Sequence, residues 1–196
     1  MIGTPSALLA CEASLPSLFD RAVTHCARRR GETSPEILRR LRAGDPETHS
    51  TFRYALAKGI GEYLGGLGIS FHAVYVHGSA MGDAASPCSD IDIVVVVGHR
   101  RDEIERLLGL LDVGLVTCFR MLLPQAKAMR SLLDVRIVES GEATTDGQSM
   151  TCFPGIASHP VCLWRAEASA RATPERLLPR RRQSALMNSC RIRDGW

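Results

Sequence analysis

Residues 74–97 carry two apolar runs separated by a Gly-Ser pair, with two aspartates at the start of the second run. Val74-Tyr75-Val76 leads through His77 into Gly78-Ser79, and ten residues then separate Ser79 from Asp90. Asp90-Ile91-Asp92 opens directly into Ile93-Val94-Val95-Val96-Val97. Aspartate is disfavoured inside a β-branched run, so its presence there needs a reason. Residues i and i+2 of a strand share a face, which points Asp90 and Asp92 the same way. Two neighbouring carboxylates repel unless a cation lies between them. A hard oxygen donor set suits Mg²⁺, which binds through one or two carboxylates plus substrate phosphates. A Gly-Ser turn at a helix start presents backbone N–H groups to an anion. Phosphate cradle and metal carboxylates together point to a nucleoside triphosphate.

The pattern of apolar strand, Gly78-Ser79, about ten residues and Asp90-x-Asp92 resembles the nucleotidyltransferase superfamily related to DNA polymerase β, in its minimal nucleotidyltransferase form. The resemblance covers about residues 48–165, and its specific motif covers 74–97. It implies a nucleotidyltransferase fold of the α/β (α+β) class: a small mixed β-sheet with helices packed on one side, here with extra N-terminal helices. It implies Mg²⁺, in a two-ion site, and ATP as the nucleotide donor. Two ions about 3.5–4 Å apart stabilise the attacking and leaving oxygens of such a displacement. The family adds a third acidic residue on a later strand, and Asp134, at the head of an apolar run about 40 residues on, matches it. Asp112 is the rival, because Asp112-Val113-Gly114-Leu115-Val116 also reads as a strand start. The alternative for Asp134 is an ion pair with Arg136.

Asp90, Asp92 and Asp134 are therefore the expected catalytic and metal residues, and Gly78 and Ser79 the expected phosphate-binding ones. Many relatives carry an arginine just after Gly-Ser, where this chain has Ala80-Met81. Charge compensation for the triphosphate then falls to the metal and to a more distant base, with Arg136, Arg53, Lys58 and Lys127 as candidates. His77 reads as a partly buried residue with a local hydrogen bond, or else as a nucleotide contact. No Walker-type loop and no nucleophile elbow is present. The expected reaction moves a nucleoside monophosphate to a hydroxyl on a partner protein, a tRNA 3′ end or a small molecule, as in the toxin–antitoxin and aminoglycoside-modifying branches of the superfamily. The alternative is a degenerate module that binds nucleotide or partner without turnover.

Composition constrains the remainder. A chain of 196 residues with a net charge of +3 suits one domain and makes no case for nucleic acid by itself. Arginines cluster at 28–30, at 39, 40 and 42, and at 180–182, either as solvated helix faces or as a surface for a polyanion such as RNA. Seven scattered cysteines without a C-x-x-C pair suggest reduced thiols and a cytoplasmic setting, with Cys118 and Cys162 as small core residues. No run reaches membrane-spanning length and the first ten residues lack a basic signal-peptide region, so no membrane partner is expected. An oligomer is possible.

Periodicity predicts helices over 15–30, 34–43 and 48–67, with residues 1–14 aperiodic. Strands are expected over 71–76 and 90–97, a short helix near Ser79, and an amphipathic helix over 102–111. A strand over 113–119, a helical stretch over 125–132, a strand over 133–138 and a last short strand over 159–164 complete the reading. Gly82 and Asp83 read as turn residues. Residues 1–46 look like an addition to a minimal unit at 47–165, dispensable for triphosphate binding, and 166–196 like a basic tail.

Overall fold

The computed structural model describes residues 5–67, 69, 71–82, 85–145, 151–153, 155–156 and 159–166. Asp83, Arg180 to Arg182 and nearly all of the basic tail lie outside them. Helix α1 spans Pro5–Arg30, α2 Ser34–Ala43, α3 Pro46–Gly66 and α4 Asp102–Leu122. Strands β1 (Phe71–His77), β2 (Ile91–Val97), β3 (Leu133–Glu139) and β6 (Val161–Arg165) form a four-stranded sheet in the order β3-β2-β1-β6. β2 runs antiparallel to β1 and parallel to β3, and β6 runs antiparallel to β1, so the sheet is mixed. A small second sheet pairs β4 (Thr144–Thr145) with β5 (Thr151–Cys152).

One face of the sheet is covered by helices. Ile91, Ile93, Val95 and Val97 of β2 bury into the same core as Leu56 and Ile60 of α3 and Leu111 and Leu115 of α4. Phe19, Phe52 and Phe119 stand at the centre, with ring centroids 6.1–6.5 Å apart. Each such side chain contributes about 1.5–3 kcal/mol on burial. Gly61 and Gly65 of α3 lie against Leu163 and Trp164 of β6, where a Cβ on Gly65 would run into the indole. The other face is thinner. Ala73, Tyr75, Val94, Val96 and Val138 form a small cluster there under Phe153.

Three expectations are corrected. Residues 113–119 are not a strand: α4 continues through them to Leu122. Leu108, Leu111, Leu115, Val116 and Phe119 recur at helical spacing and all bury, so packing overrides the β-branched content of the stretch. Gly114 in its middle lies against Leu15 of α1 and admits the close approach of the two helices. Residues 125–132 are not helical beyond a single 3₁₀ turn at Pro124–Ala126. The helical backbone of α1 already begins at Pro5, inside the stretch that reads as aperiodic.

Residues 1–46 do not stand apart from the remainder. Leu15, Leu18, Phe19, Ile37 and Leu41 belong to the same core as the sheet, and residues 1–166 form one compact unit. Of the two cysteines expected in the core, Cys118 is half-buried and Cys162 exposed, whereas Cys26 is fully buried.

Candidate metal centre

The β2–β3 register sets Asp92 directly beside Asp134 on a parallel rung. Asp90 precedes β2 by one residue. One carboxylate oxygen from each of Asp90, Asp92 and Asp134 lies within 4.8 Å of the others. Side-chain alternation places Asp92, Val94 and Val96 on the thin face of the sheet, with Asp134 and Arg136 on the same face of β3. Asp90 and Asp134 are exposed and Asp92 is half-buried.

Burial, followed by the charge of Asp90, pushes the Asp92 carboxyl above its ordinary range; Asp134 adds to this and His77 opposes it. His77 is the antiparallel partner of Asp92 on β1. The cluster therefore disfavours its own full ionisation. An all-carboxylate donor set of this kind fits a hard divalent cation such as Mg²⁺.

Gly78 follows at once, with φ of 71° in the left-handed region, and opens a 3₁₀ turn over Gly78–Met81. A Cβ at Gly78 would collide with the Asp92 carboxylate. Glycine is thus required twice over, by its backbone angle and by the carboxylate lying against it. Ser79 is half-buried in the same turn, and the exposed Met81 leaves it without a basic side chain.

A cleft of about 580 Å³ opens beside Asp134, the one carboxylate of the three that lines it, with His77, Arg136 and Arg100 among its other walls. Of the candidate phosphate bases, only Arg136 lies there. Its guanidinium is close to Gly155. Arg53 is fully buried and directed into the core, where it cannot meet a ligand. Lys58 is exposed on α3, away from the carboxylates, while Lys127 is exposed beyond the 3₁₀ turn.

Asp112 takes a different role from the one its sequence context suggests. It sits inside α4, and its Oδ1 accepts the backbone N–H groups of Leu132 and Leu133 at 2.8 Å each. Ser131 Oγ lies 2.8 Å from its Oδ2. The carboxylate anchors the start of β3, one residue before Asp134.

Arg53 takes a buried structural role in place of the phosphate contact its charge suggests, and His49 carries no sequence signal at all. Arg53 donates from Nε to the Ser89 carbonyl at 2.9 Å and from Nη2 to the Pro87 carbonyl at 3.1 Å. Its Nη1 lies 2.9 Å from His49 Nδ1, and His49 Nε2 lies 2.9 Å from the Leu41 carbonyl. The carbonyl accepts and the guanidinium donates, so the imidazole is neutral, with its proton on Nε2. Burial, with Arg53 beside it, lowers His49 to about 4. Neither a family model, nor a curated protein, nor a solved structure matches the chain.

Of the arginine clusters, Arg30 pairs with Glu47 at 2.7 Å and Arg40 with Glu32 at 2.9 Å. With the exposed pair of Arg39 and Glu36 at 3.9 Å, three of the six arginines at 28–30, 39, 40 and 42 have an acidic partner. Among the described residues no helix is long and apolar enough to cross a membrane.

Proposed function

We propose that the chain is a Mg²⁺-dependent nucleotidyltransferase that transfers a nucleoside monophosphate, AMP from ATP, to a hydroxyl acceptor. The observation that carries this reading is the convergence of Asp90, Asp92 and Asp134 beside the Gly78-Ser79 turn. The three carboxylates would hold the ion. A divalent cation bound there supplies Lewis-acid charge to phosphoryl oxygens and lowers the pKa of an attacking hydroxyl.

The chain's own groups account for the remaining roles. The backbone at Gly78 and Ser79, with the Ser79 hydroxyl, receives the terminal phosphates. Asp134, exposed at the cleft, accepts the proton of the acceptor hydroxyl as its oxygen bonds to the α-phosphorus and pyrophosphate leaves. Arg136, two residues along the same strand face, offers a fixed positive charge for phosphate oxygens. The acceptor belongs to one of three classes: a partner protein, a tRNA 3′ end or a small hydroxylated molecule.

One observation favours a second reading, a module that binds without turnover: the turn after Ser79 presents Met81 and no basic side chain. ATP labelled at the α-phosphorus and ATP labelled at the γ-phosphorus, each incubated with protein, Mg²⁺ and cell extract, separate the readings. Nucleotidyl transfer leaves α-label on the acceptor and releases γ-label as pyrophosphate. Retention of γ-label on the acceptor, or no transfer of either, contradicts the proposal.

A further inference from the structure

We infer that Arg53 is a positioning residue that fixes the loop leading to Asp90 from inside the core. Its bearing on function rests on the reading of Asp90 as a metal ligand. The loop over residues 86–90 has little of its own to hold it. Its two flanks are held, by the Ala85 amide on Ser50 Oγ at 3.1 Å and the Ile91 amide on the Leu132 carbonyl at 2.8 Å, but between them its internal bonds are confined to Ser86 and Ser89 and the amide of Cys88. Arg53 supplies the missing restraint. The planar guanidinium spans two carbonyls of the loop, Pro87 and Ser89, with different nitrogens, and Ser89 is the residue immediately before Asp90.

The fork is itself fixed on its far side. His49 receives the third nitrogen and is tied to the Leu41 carbonyl at the end of α2. The guanidinium also stacks over the Phe119 ring, with Cζ 5.3 Å from the centroid. Three helices therefore set the place of one loop. Burying a cation costs free energy unless it is fully paired, and leucine or methionine would fill the same space without that cost. What only arginine offers here is a rigid two-carbonyl grip with a positive charge near Asp90. The third carboxylate has a counterpart from the same helical layer, Asp112, which grips the amides just before Asp134.

The test uses the full chain with Arg53→Lys, which keeps the charge and much of the volume but reaches only one carbonyl, and Arg53→Met, which keeps the volume alone. Backbone hydrogen exchange on metal-free protein should rise at least tenfold at Ser89 and Ile91 in the lysine variant. The amides of β1 and of central α4 should be unchanged. Mn²⁺ affinity should fall several-fold when Arg53→Lys is made alone and show no further fall when it is added to Asp90→Asn. The methionine variant should exceed the lysine variant in both readouts. Unchanged exchange at Ser89 and Ile91, or a rise spread evenly over the sheet, would overturn the inference. So would a loss of Mn²⁺ affinity from Arg53→Lys that is as large on top of Asp90→Asn as it is in the otherwise wild-type chain. Local exchange that rises in a protein unable to bind Mn²⁺ would leave the loop restraint standing and remove the metal reading.

Discussion

At the scale of single residues, charge and burial decide what Asp92 can do. Its carboxyl is pushed up by burial and by Asp90. A raised folded-state value means that the fold favours the protonated form. The stabilisation is complete at low pH and is lost as pH rises through the folded value. Metal-free protein should therefore carry a repulsive cost at neutral pH that Asp92→Asn removes. We expect Asp92→Asn to melt at or above the wild-type temperature without metal at pH 7, to lose that advantage at pH 4, and to abolish nucleotidyl transfer. Thermal melts at the two pH values and the labelled-ATP assay check all three.

His49 works in the opposite sense. Its folded value falls from 6.5 to about 4, so its contribution is present above the unfolded value and is lost as pH falls through the folded one. At about 1.4 kcal/mol per unit, wild type should lose on the order of 2–3 kcal/mol through this group between pH 7 and pH 4. Denaturant midpoints for wild type and His49→Gln over that range should converge as the pH drops, because glutamine does not titrate. A gap that stays constant would contradict a buried neutral imidazole.

At the scale of elements, the carboxylate cluster is a product of strand register. Asp90 and Asp92 were legible in the sequence because a strand's two-residue period puts them on one face without help from distant residues. The partnership of Asp92 with Asp134 depends on which strand lies beside β2, and it was reached through family resemblance rather than local pattern. Asp112 marks the limit of local reading. Its run 112–119 is apolar and β-branched, and the choice of helix over strand came from Leu15 and the aromatic core, which no window of that length contains. The buried grip of Arg53, which reads as a candidate phosphate base, and the role of His49 are illegible for the same reason, since their partners at Ser89, Pro87 and Leu41 are remote in the chain or fixed only by the fold. The two aspartates should now separate experimentally. Asp134→Ala should lose transfer activity by about 10² or more with near wild-type stability. Asp112→Ala should cost about 1–3 kcal/mol by leaving the amides of Leu132 and Leu133 without their acceptor. Chemical denaturation paired with the transfer assay distinguishes them. The reverse pattern would move the third ligand to α4.

At the scale of the whole molecule, the N-terminal helices are part of the folding unit. Leu15, Leu18, Phe19, Val23, Ile37 and Leu41 are all buried in the central core. Their burial contributes on the order of 10 kcal/mol, comparable to the entire stability of an ordinary domain. Deleting residues 1–46 should therefore give an insoluble or molten chain rather than a minimal ATP-binding unit, as read by near-ultraviolet circular dichroism and gel filtration. The sequence suggested a detachable piece because the resemblance begins near residue 48, and a motif boundary carries no information about where the core ends.

The proposed transfer requires the three carboxylates to act as one cation site. Titration of metal-free protein with Mn²⁺, followed by the loss of its free-ion paramagnetic resonance signal, tests this without any knowledge of the acceptor. Saturable binding that Mg²⁺ displaces, and that falls by at least tenfold in both Asp92→Asn and Asp134→Asn, is the expected result. Absence of saturable binding, or binding that survives Asp92→Asn unchanged, would contradict it.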